Sequence, residues 1–145
     1  MDHKSNSHLT SAGIRMEMYR NTFSLIRKSP FIGYGTGALG YEYNKLSDSQ
    51  DTLLKDVPNP HNQYLLTFFE LGIFGLLIFI GMLFKQWIFS NNSRFIEGQI
   101  GLYAKGLILT ISIGSLFNSL LLDATEGKFY CVLIGVLLSC NKKNE

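Results

Sequence analysis

The chain has 145 residues, of which 46% are hydrophobic, and its formal net charge is +2. A chain of this length holds at most one compact soluble unit. The hydrophobic residues gather after residue 61, whereas residues 1–60 carry most of the acidic side chains. This uneven distribution predicts an all-α integral membrane protein in which a polar segment precedes the membrane region. We expect no nucleic-acid partner and no cofactor.

Residues 1–60 are predicted to form a partly helical loop segment outside the cytoplasm. Residues 1–12 are polar and lack the apolar centre of a cleavable secretory signal. Thr10 or Ser11 can cap a helix that continues to about residue 28, and Pro30 ends it. Apolar residues recur at helical spacing within this stretch, so we expect an amphipathic helix over about 10–28.

The polar side of this helix carries Arg15, Arg20 and Arg27. A basic face near a membrane can attract anionic lipid. It can equally bind a diphosphate, because the guanidinium group is planar, permanently charged and able to donate two parallel hydrogen bonds. For Arg15, the residue pattern by itself favours a solvated helix face.

Three alternating glycines, Gly33, Gly35 and Gly37, follow Pro30. Their spacing differs from GxGxxG, and neither the preceding strand nor the following helix of a dinucleotide-binding unit is predicted. We therefore expect a tight, close-packed turn and not a phosphate loop.

Three apolar runs follow residue 61. The first is about as long as the roughly 20 residues needed to cross a ~30 Å hydrocarbon core. The third apolar run, 129–140, contains Cys131 and Cys140 and covers only ~18 Å as a helix. To cross the bilayer, this helix must include flanking residues, locally thin the bilayer or pack against neighbouring helices. In such a run the cysteines are typical of small hydrophobic residues and not of a disulfide or metal pair. We predict membrane spans over about 64–84, 104–122 and 126–141.

Basic residues indicate the orientation of these spans. Lys85, Arg94 and Lys105 lie between the first and second spans, and further lysines follow the third. Because cytoplasmic loops carry the excess of Lys and Arg, these regions are predicted to be cytoplasmic. Residues 1–60 and the turn before the third span then lie outside, and the carboxyl terminus lies in the cytoplasm.

His61 stands directly before the first predicted span, between Pro60 and Asn62. Imidazole can accept a proton at neutral pH and so suits a general base; alternatively, His61 caps the helix or lies at the membrane interface. Glu70, predicted inside the first span, must face protein, water or a partner, because a carboxylate in lipid is costly. It could orient His61 or pair with another helix. Asp123, at the outer end of the second span, could position an acceptor.

An ordered set of motifs resembles the O-antigen ligase and polymerase superfamily. The set consists of Arg15 with an aromatic residue four positions later, Ser29 to Gly37 (SPFIGYGTG), His61 to Leu65 (HNQYL), Glu70 to Gly75 (ELGIFG), Asn118-Ser119-Leu120 and Asp123. No single motif is specific to this superfamily, but the order of the motifs before a membrane span is specific to it. One departure is Tyr19, where relatives usually carry tryptophan.

The resemblance implies a glycosyltransferase of the bacterial inner membrane. Its donor would be a glycan on undecaprenyl diphosphate, and its acceptor a hydroxyl such as one on lipid A-core. Arg15 matches the family arginine assigned to the diphosphate, and His61 matches the histidine assigned as base. No metal is implied. The further candidates for binding the diphosphate or glycan are Arg20, Asn62, Glu70 and Asp123.

Three alternatives stay open at this point. The chain could be a polymerase that joins lipid-linked repeat units, a transferase to protein hydroxyls, or a non-catalytic membrane module. Family members carry many more helices, so we expect this chain to correspond to their carboxy-terminal third. The chain would then be a fragment, or one half of a split protein whose earlier helices come from a separate chain.

Overall fold

The computed structural model describes residues 11–47, 59–92 and 98–139, which form five α-helices and no strand. The helices are α1 (Ser11–Ile26), α2 (Leu39–Ser47), α3 (Gln63–Ser90), α4 (Gly98–Gly114) and α5 (Ala124–Ser139). The predicted all-α class is confirmed. The helix expected over about 10–28 corresponds to α1, which already ends at Ile26; Thr10 lies outside the described residues.

Buried side chains form two clusters that α3 connects. The first packs α1 and α2 against the start of α3 and contains Met18, Leu25, Ile26, Leu39, Tyr43, Leu66 and Phe69. The second packs the rest of α3 against α4 and α5 and contains Phe79, Leu83, Ala104, Ile108, Ile111, Tyr130 and Ile134. Helix α3 therefore fixes the position of α1 and α2 relative to α4 and α5.

Tyr43 ties α2 to α1 inside the first cluster. Its hydroxyl lies 2.6 Å from the Met18 carbonyl and 2.5 Å from Thr22 Oγ1, and Tyr43 and Thr22 are both buried. Burial raises the pKa of Tyr43 above its usual value, because the phenolate would be poorly solvated there.

The apolar run 64–84 is not one straight helix, because α3 is broken at Gly72. This residue has φ 66° and ψ −166°, a combination that is essentially restricted to glycine. The rings of Tyr64 and Phe79 are 5.3 Å apart, whereas a straight helix would separate their Cα atoms by about 22 Å. The first arm of α3 (63–71) and the second arm (73–90) therefore meet at a sharp bend.

The glycine-rich segment 30–37 fills this break. Three backbone hydrogen bonds join the two: Tyr34 N–H to the Phe69 carbonyl at 3.0 Å, Gly35 N–H to the Glu70 carbonyl at 2.8 Å, and Ile73 N–H to the Pro30 carbonyl at 2.9 Å. A broken helix leaves such groups without intrahelical partners. The segment supplies the missing partners, so the bend carries little penalty from unpaired backbone groups.

The expected close-packed turn is confirmed, and its glycines allow two backbones to touch. A Cβ atom on Gly33 would lie 2.5 Å from the Glu70 carbonyl oxygen, and one on Gly72 would lie 2.1 Å from the Phe31 carbonyl oxygen. Both residues also have positive φ. A side chain at either position would push segment 30–37 out of the break.

The first arm lies across one end of the helical bundle. Its far end is attached to the end of α4, because Gln63 N–H donates to the Ser115 carbonyl at 2.9 Å and α4 ends at Gly114. Its near end is the bend at Gly72, where the second arm begins. Residues 59–62, which precede the arm, are therefore brought to the end of α4.

Only α3, within the three described stretches, is both long and apolar enough to cross a membrane. Helices α4 and α5 contain 17 and 16 residues, or about 26 and 24 Å of helix, so they and the about 27 Å second arm of α3 all fall slightly short of the ~30 Å core. The run predicted as a span over 104–122 is divided, because α4 ends at Gly114 and the chain then turns before α5. Three membrane spans, and their orientation, stay predictions.

Candidate functional site

His61 is held in a strained backbone conformation. Its φ is 48°, in the left-handed region, which costs a non-glycine residue about 1–3 kcal/mol. The Asn59 side-chain oxygen accepts hydrogen bonds from the His61 N–H at 2.9 Å and from the Ser119 hydroxyl at 2.7 Å. Pro60, which lies between Asn59 and His61 in the sequence, is buried. Strain maintained by its surroundings is typical of functional residues.

The segment around His61 is anchored on the turn between α4 and α5. The anchoring bonds run from Asn62 Nδ2 to the Leu116 carbonyl at 3.1 Å, from the Leu121 N–H to Gln63 Oε1 at 3.0 Å, and from the Tyr64 hydroxyl to the Ser112 carbonyl at 3.0 Å. Asn62 Oδ1 also caps α3 by accepting from the Leu65 N–H at 3.0 Å. The imidazole is therefore positioned by these contacts of the residues that follow His61 and by the contacts of Asn59, which precedes it.

A chain of hydrogen bonds between side chains connects His61 through Asn118 to Asp123. His61 Nδ1 lies 3.2 Å from Asn118 Oδ1, and Asn118 Nδ2 donates to Asp123 Oδ2 at 3.4 Å. Asn118 Oδ1 also accepts the Ser119 N–H at 2.9 Å. Two contacts thus determine the orientation of the Asn118 amide. The Ser119 N–H requires an acceptor oxygen on one side, and the Asp123 carboxylate requires a donor on the other.

This orientation selects one tautomer of His61. The amide oxygen can only accept, so Nδ1 must carry the proton when the imidazole is neutral. Nε2 then presents a lone pair and can accept a proton from a substrate. The Asp123 carboxylate supports this arrangement through Asn118 and does not contact the imidazole.

Asn118 is the site residue that sequence reasoning missed. It is part of the Asn118-Ser119-Leu120 motif, but the amide carries no charge and lies 57 residues from His61 in the chain. Its position five residues before Asp123 was the available signal. The sequence indicated Asp123 as a candidate site residue, but it did not indicate the Asn118 amide that connects Asp123 to His61.

A cleft of about 540 Å³ lies between α1 and the start of α3. Its lining residues are Tyr19, Arg20, Phe23, Ser24, Arg27, Asn62 and Leu65. Arg20 lies on α1, Arg27 directly follows its last residue, and both are exposed. The Arg27 N–H still donates to the Phe23 carbonyl at 3.1 Å, so these two arginines, seven positions apart, are almost in register. The Arg27 guanidinium lies 5.0 Å from the centre of the Phe23 ring, a cation–π contact that orients it. Arg20 and Arg27 thus line the same cleft as Asn62, the neighbour of His61.

Arg15 is not among the residues that line this cleft. It is exposed on α1, but five residues separate it from Arg20, which rotates it by about 140° around the helix. The structure therefore brings Arg20 and Asn62 together and directs Arg15 to another side of α1. Diphosphate binding by Arg15 stays a prediction.

Glu70 belongs to the break in α3. Its Oε1 accepts a hydrogen bond from the Gly37 N–H at 2.8 Å, and its carbonyl accepts from Gly35. These contacts hold the glycine-rich segment against the bend. Of the roles considered from the sequence, they support a structural one and not the orientation of His61.

In the described stretches, no group of three or more His, Cys, Asp or Glu side chains is placed to hold a metal ion. Cys131 is exposed and free, and Cys140 lies outside the described residues. The functional groups that the fold does gather are the imidazole of His61, the amide of Asn118, the carboxylate of Asp123 and, in the cleft, two guanidinium groups.

Comparison with protein families gives one match. A family model described as O-antigen ligase matches residues 1–80, more than half of the chain. The matched region includes α1, the glycine-rich segment, His61 and the bend in α3; Asn118 and Asp123 lie beyond it. No curated protein sequence shows significant similarity to the chain.

Proposed function

Because this chain belongs to the O-antigen ligase family, we propose that it takes part in transferring a glycan from a polyprenyl diphosphate to an acceptor hydroxyl. The family supports a ligase or polymerase type of function in bacterial membranes. We propose the ligase, with an undecaprenyl-diphosphate-linked donor and a hydroxyl acceptor such as lipid A-core. The observation that carries the proposal is the His61–Asn118–Asp123 chain beside a cleft with two arginines.

His61 acts as the general base in this proposal. Nε2 accepts the proton of the acceptor hydroxyl, and the oxygen attacks the anomeric carbon of the donor glycan. Asn118 accepts the Nδ1 hydrogen bond throughout, and Asp123 holds the Asn118 amide in the orientation that this bond requires. A positioned base of this kind accelerates a reaction by about 10²–10⁴-fold.

Arg20 and Arg27 act on the leaving group. As the new glycosidic bond forms, the bond between the anomeric carbon and the diphosphate oxygen breaks, and its electron pair stays on the lipid diphosphate. Guanidinium groups stabilise the charge that develops there. Their shared cleft adjoins Asn62, the residue after His61, so the leaving group and the base would act on neighbouring atoms of one donor.

The second arm of α3, together with α4 and α5, is proposed to form the membrane region. Exposed apolar side chains cover all three, including Ile78 at 73%, Leu102 at 66% and Val132 at 64% exposure. Such apolar surfaces are energetically unfavourable in water and favourable in contact with lipid acyl chains. We propose that residues 1–60, His61 and Asp123 face the outside and that the carboxyl terminus is cytoplasmic.

The test is genetic complementation in the host. A deletion strain receives the wild-type gene, His61→Ala or, as a matched control, Asn44→Ala, which changes an exposed polar residue on α2. Lipopolysaccharide gels should show long chains for the wild type and Asn44→Ala and none for His61→Ala, with equal protein levels by immunoblot. Wild-type gels from His61→Ala would disprove the base assignment.

The deletion strain also separates the two family activities. A lipid A-core band without any repeat unit is expected if the protein is a ligase, because no glycan reaches the acceptor. Core carrying a single repeat unit would instead identify a polymerase, since ligation would continue while chain growth stopped. The base and the arginine cleft serve either reaction, because only the acceptor differs.

A further inference from the structure

We propose that Phe31 and Ile32, at the tip of segment 30–37, insert into the outer leaflet of the membrane and set the depth of the His61 site. The partner is the lipid bilayer itself, at the boundary between headgroups and acyl chains. The proposal rests on the proposed placement of the second arm of α3 in the membrane and of His61 on its outer side, but not on which transfer reaction the site performs.

The two side chains at the tip are unusually exposed for their type. Phe31 is 64% and Ile32 is 82% exposed. Consecutive large apolar residues in this state are unfavourable in water and mark a contact surface. Tyr34 of the same segment packs against the first buried cluster, so the exposed large apolar side chains of the segment are those at the tip.

The tip lies where the membrane-crossing part of α3 begins. The Pro30 carbonyl accepts from the Ile73 N–H at 2.9 Å, and the Phe31 backbone is in contact with Gly72. Phe74, in the first turn after the bend, is itself 62% exposed. The apolar tip is therefore continuous with the apolar outer surface of the second arm, which argues for the same occupant, lipid, on both.

The two arms of α3 differ in what covers them. Leu66 and Phe69 in the first arm are at most 3% exposed, because α1 and α2 pack on them. The second arm, 73–90, is mostly apolar and exposed, and its length of about 27 Å approaches the ~30 Å hydrocarbon core. The change from protein contacts to lipid contacts thus occurs at Gly72, beside the tip.

The turn that carries the tip also suits a region of low polarity. The Gly33 N–H donates to the Ser29 carbonyl at 3.2 Å, and the Ser29 hydroxyl donates to the Gly33 carbonyl at 2.9 Å. Backbone groups near lipid need such internal partners, because water is scarce there.

Insertion at this point fixes the depth of the candidate site. The first arm connects the bend at Gly72 with the end of α4, through Gln63 and Ser115. His61 precedes that arm by two residues and is therefore held at the same end of the bundle as the tip. A lipid-linked diphosphate lies at this depth, because its charged group stays among the headgroups while its tail enters the bilayer.

The experiment uses the full chain reconstituted in vesicles of phosphatidylethanolamine and phosphatidylglycerol. Ile32→Cys, in a Cys131→Ser and Cys140→Ser background, is labelled with an environment-sensitive fluorophore. Nitroxide lipids that quench near the headgroup or near the end of the acyl chain then report its depth. Phe31→Cys provides a second tip variant if the first does not fold. Asn44→Cys on α2, exposed and polar, is the matched control.

We expect several-fold stronger quenching at position 32 or 31 than at position 44, and stronger quenching by the shallow nitroxide than by the deep one. Equal quenching at the tip and at position 44 would overturn the proposal, because the tip would then face water or protein. Stronger quenching by the deep nitroxide would also overturn it, since the tip would not mark the membrane surface.

Discussion

Replacing Gly72 with alanine is expected to disrupt the junction between α3 and segment 30–37. The new Cβ would lie 2.1 Å from the Phe31 carbonyl oxygen, 2.3 Å from its carbon and 2.7 Å from the Ile32 nitrogen. These are backbone atoms and cannot rotate away. Alanine also strongly disfavours φ 66° and ψ −166°. The chain must therefore give up either the bend or the docked segment.

The expected loss of stability follows from these two effects. Adopting a conformation restricted to glycine costs about 1–3 kcal/mol. Displacing the segment removes three backbone hydrogen bonds, each with a net contribution of about 0.5–1.5 kcal/mol. Together they predict a decrease of about 3–7 kcal/mol in the free energy of unfolding, which is a large part of the ~5–15 kcal/mol typical of a domain.

Two other glycines provide graded controls. Gly35 has φ 93°, but a Cβ atom added there would meet no atom within 4 Å, so Gly35→Ala should cost only the backbone strain. Gly81 lies in α3 with nothing within 4 Å and ordinary φ, so Gly81→Ala should be neutral or stabilise by up to ~1 kcal/mol. Equilibrium unfolding in micelles, followed by circular dichroism, should give the order Gly72, Gly35, Gly81 from most to least damaging. Equal stability of Gly72→Ala and Gly81→Ala would refute the docking argument.

Three further predictions concern the site and the first buried cluster. Asn118→Ala should lower the transfer rate about 10–100-fold with unchanged donor KM, because His61 loses its orienting partner; an unchanged rate would contradict the tautomer argument. Arg27→Lys should raise the donor KM roughly tenfold, since ammonium cannot donate two parallel hydrogen bonds; an unchanged KM would remove Arg27 from the site. Because burial raises the pKa of Tyr43, stability should fall as pH rises above ~10. In alkaline unfolding titrations Tyr43→Phe should reduce this fall, and exposed Tyr41→Phe should not; identical curves would contradict the burial effect.

Helical class, the presence of helix α1 and the glycine-rich turn were predictable because their signals are local. Apolar spacing over residues 14–25 predicts a helix wherever its partners lie. Gly33, Gly35 and Gly37 predict a tight turn, and all three have positive φ. The ordered motifs also led to the family that the comparison with residues 1–80 shows. The helix, the turn and each single motif need only residues that are close in sequence.

The bend at Gly72 was not predictable from its own run. A single glycine in an apolar helix costs only ~1 kcal/mol and is ordinarily tolerated. The helix breaks here because segment 30–37 supplies hydrogen-bond partners for both sides of the gap. The same contact gives Glu70 its partner, the Gly37 N–H, where the sequence suggested a carboxylate deep in a span.

The sequence by itself identified His61 and Asp123 as candidates, because ionisable groups at the ends of apolar runs are costly and conspicuous. Only the tertiary structure decided that the two are connected. Folding brings the turn after α4 against the segment before α3, and Asn118 then connects the imidazole to the carboxylate. It likewise placed Arg20 and Arg27 in the cleft and turned Arg15 away from it. Such contacts join residues far apart in the chain, and their geometry has no periodic signature in the sequence.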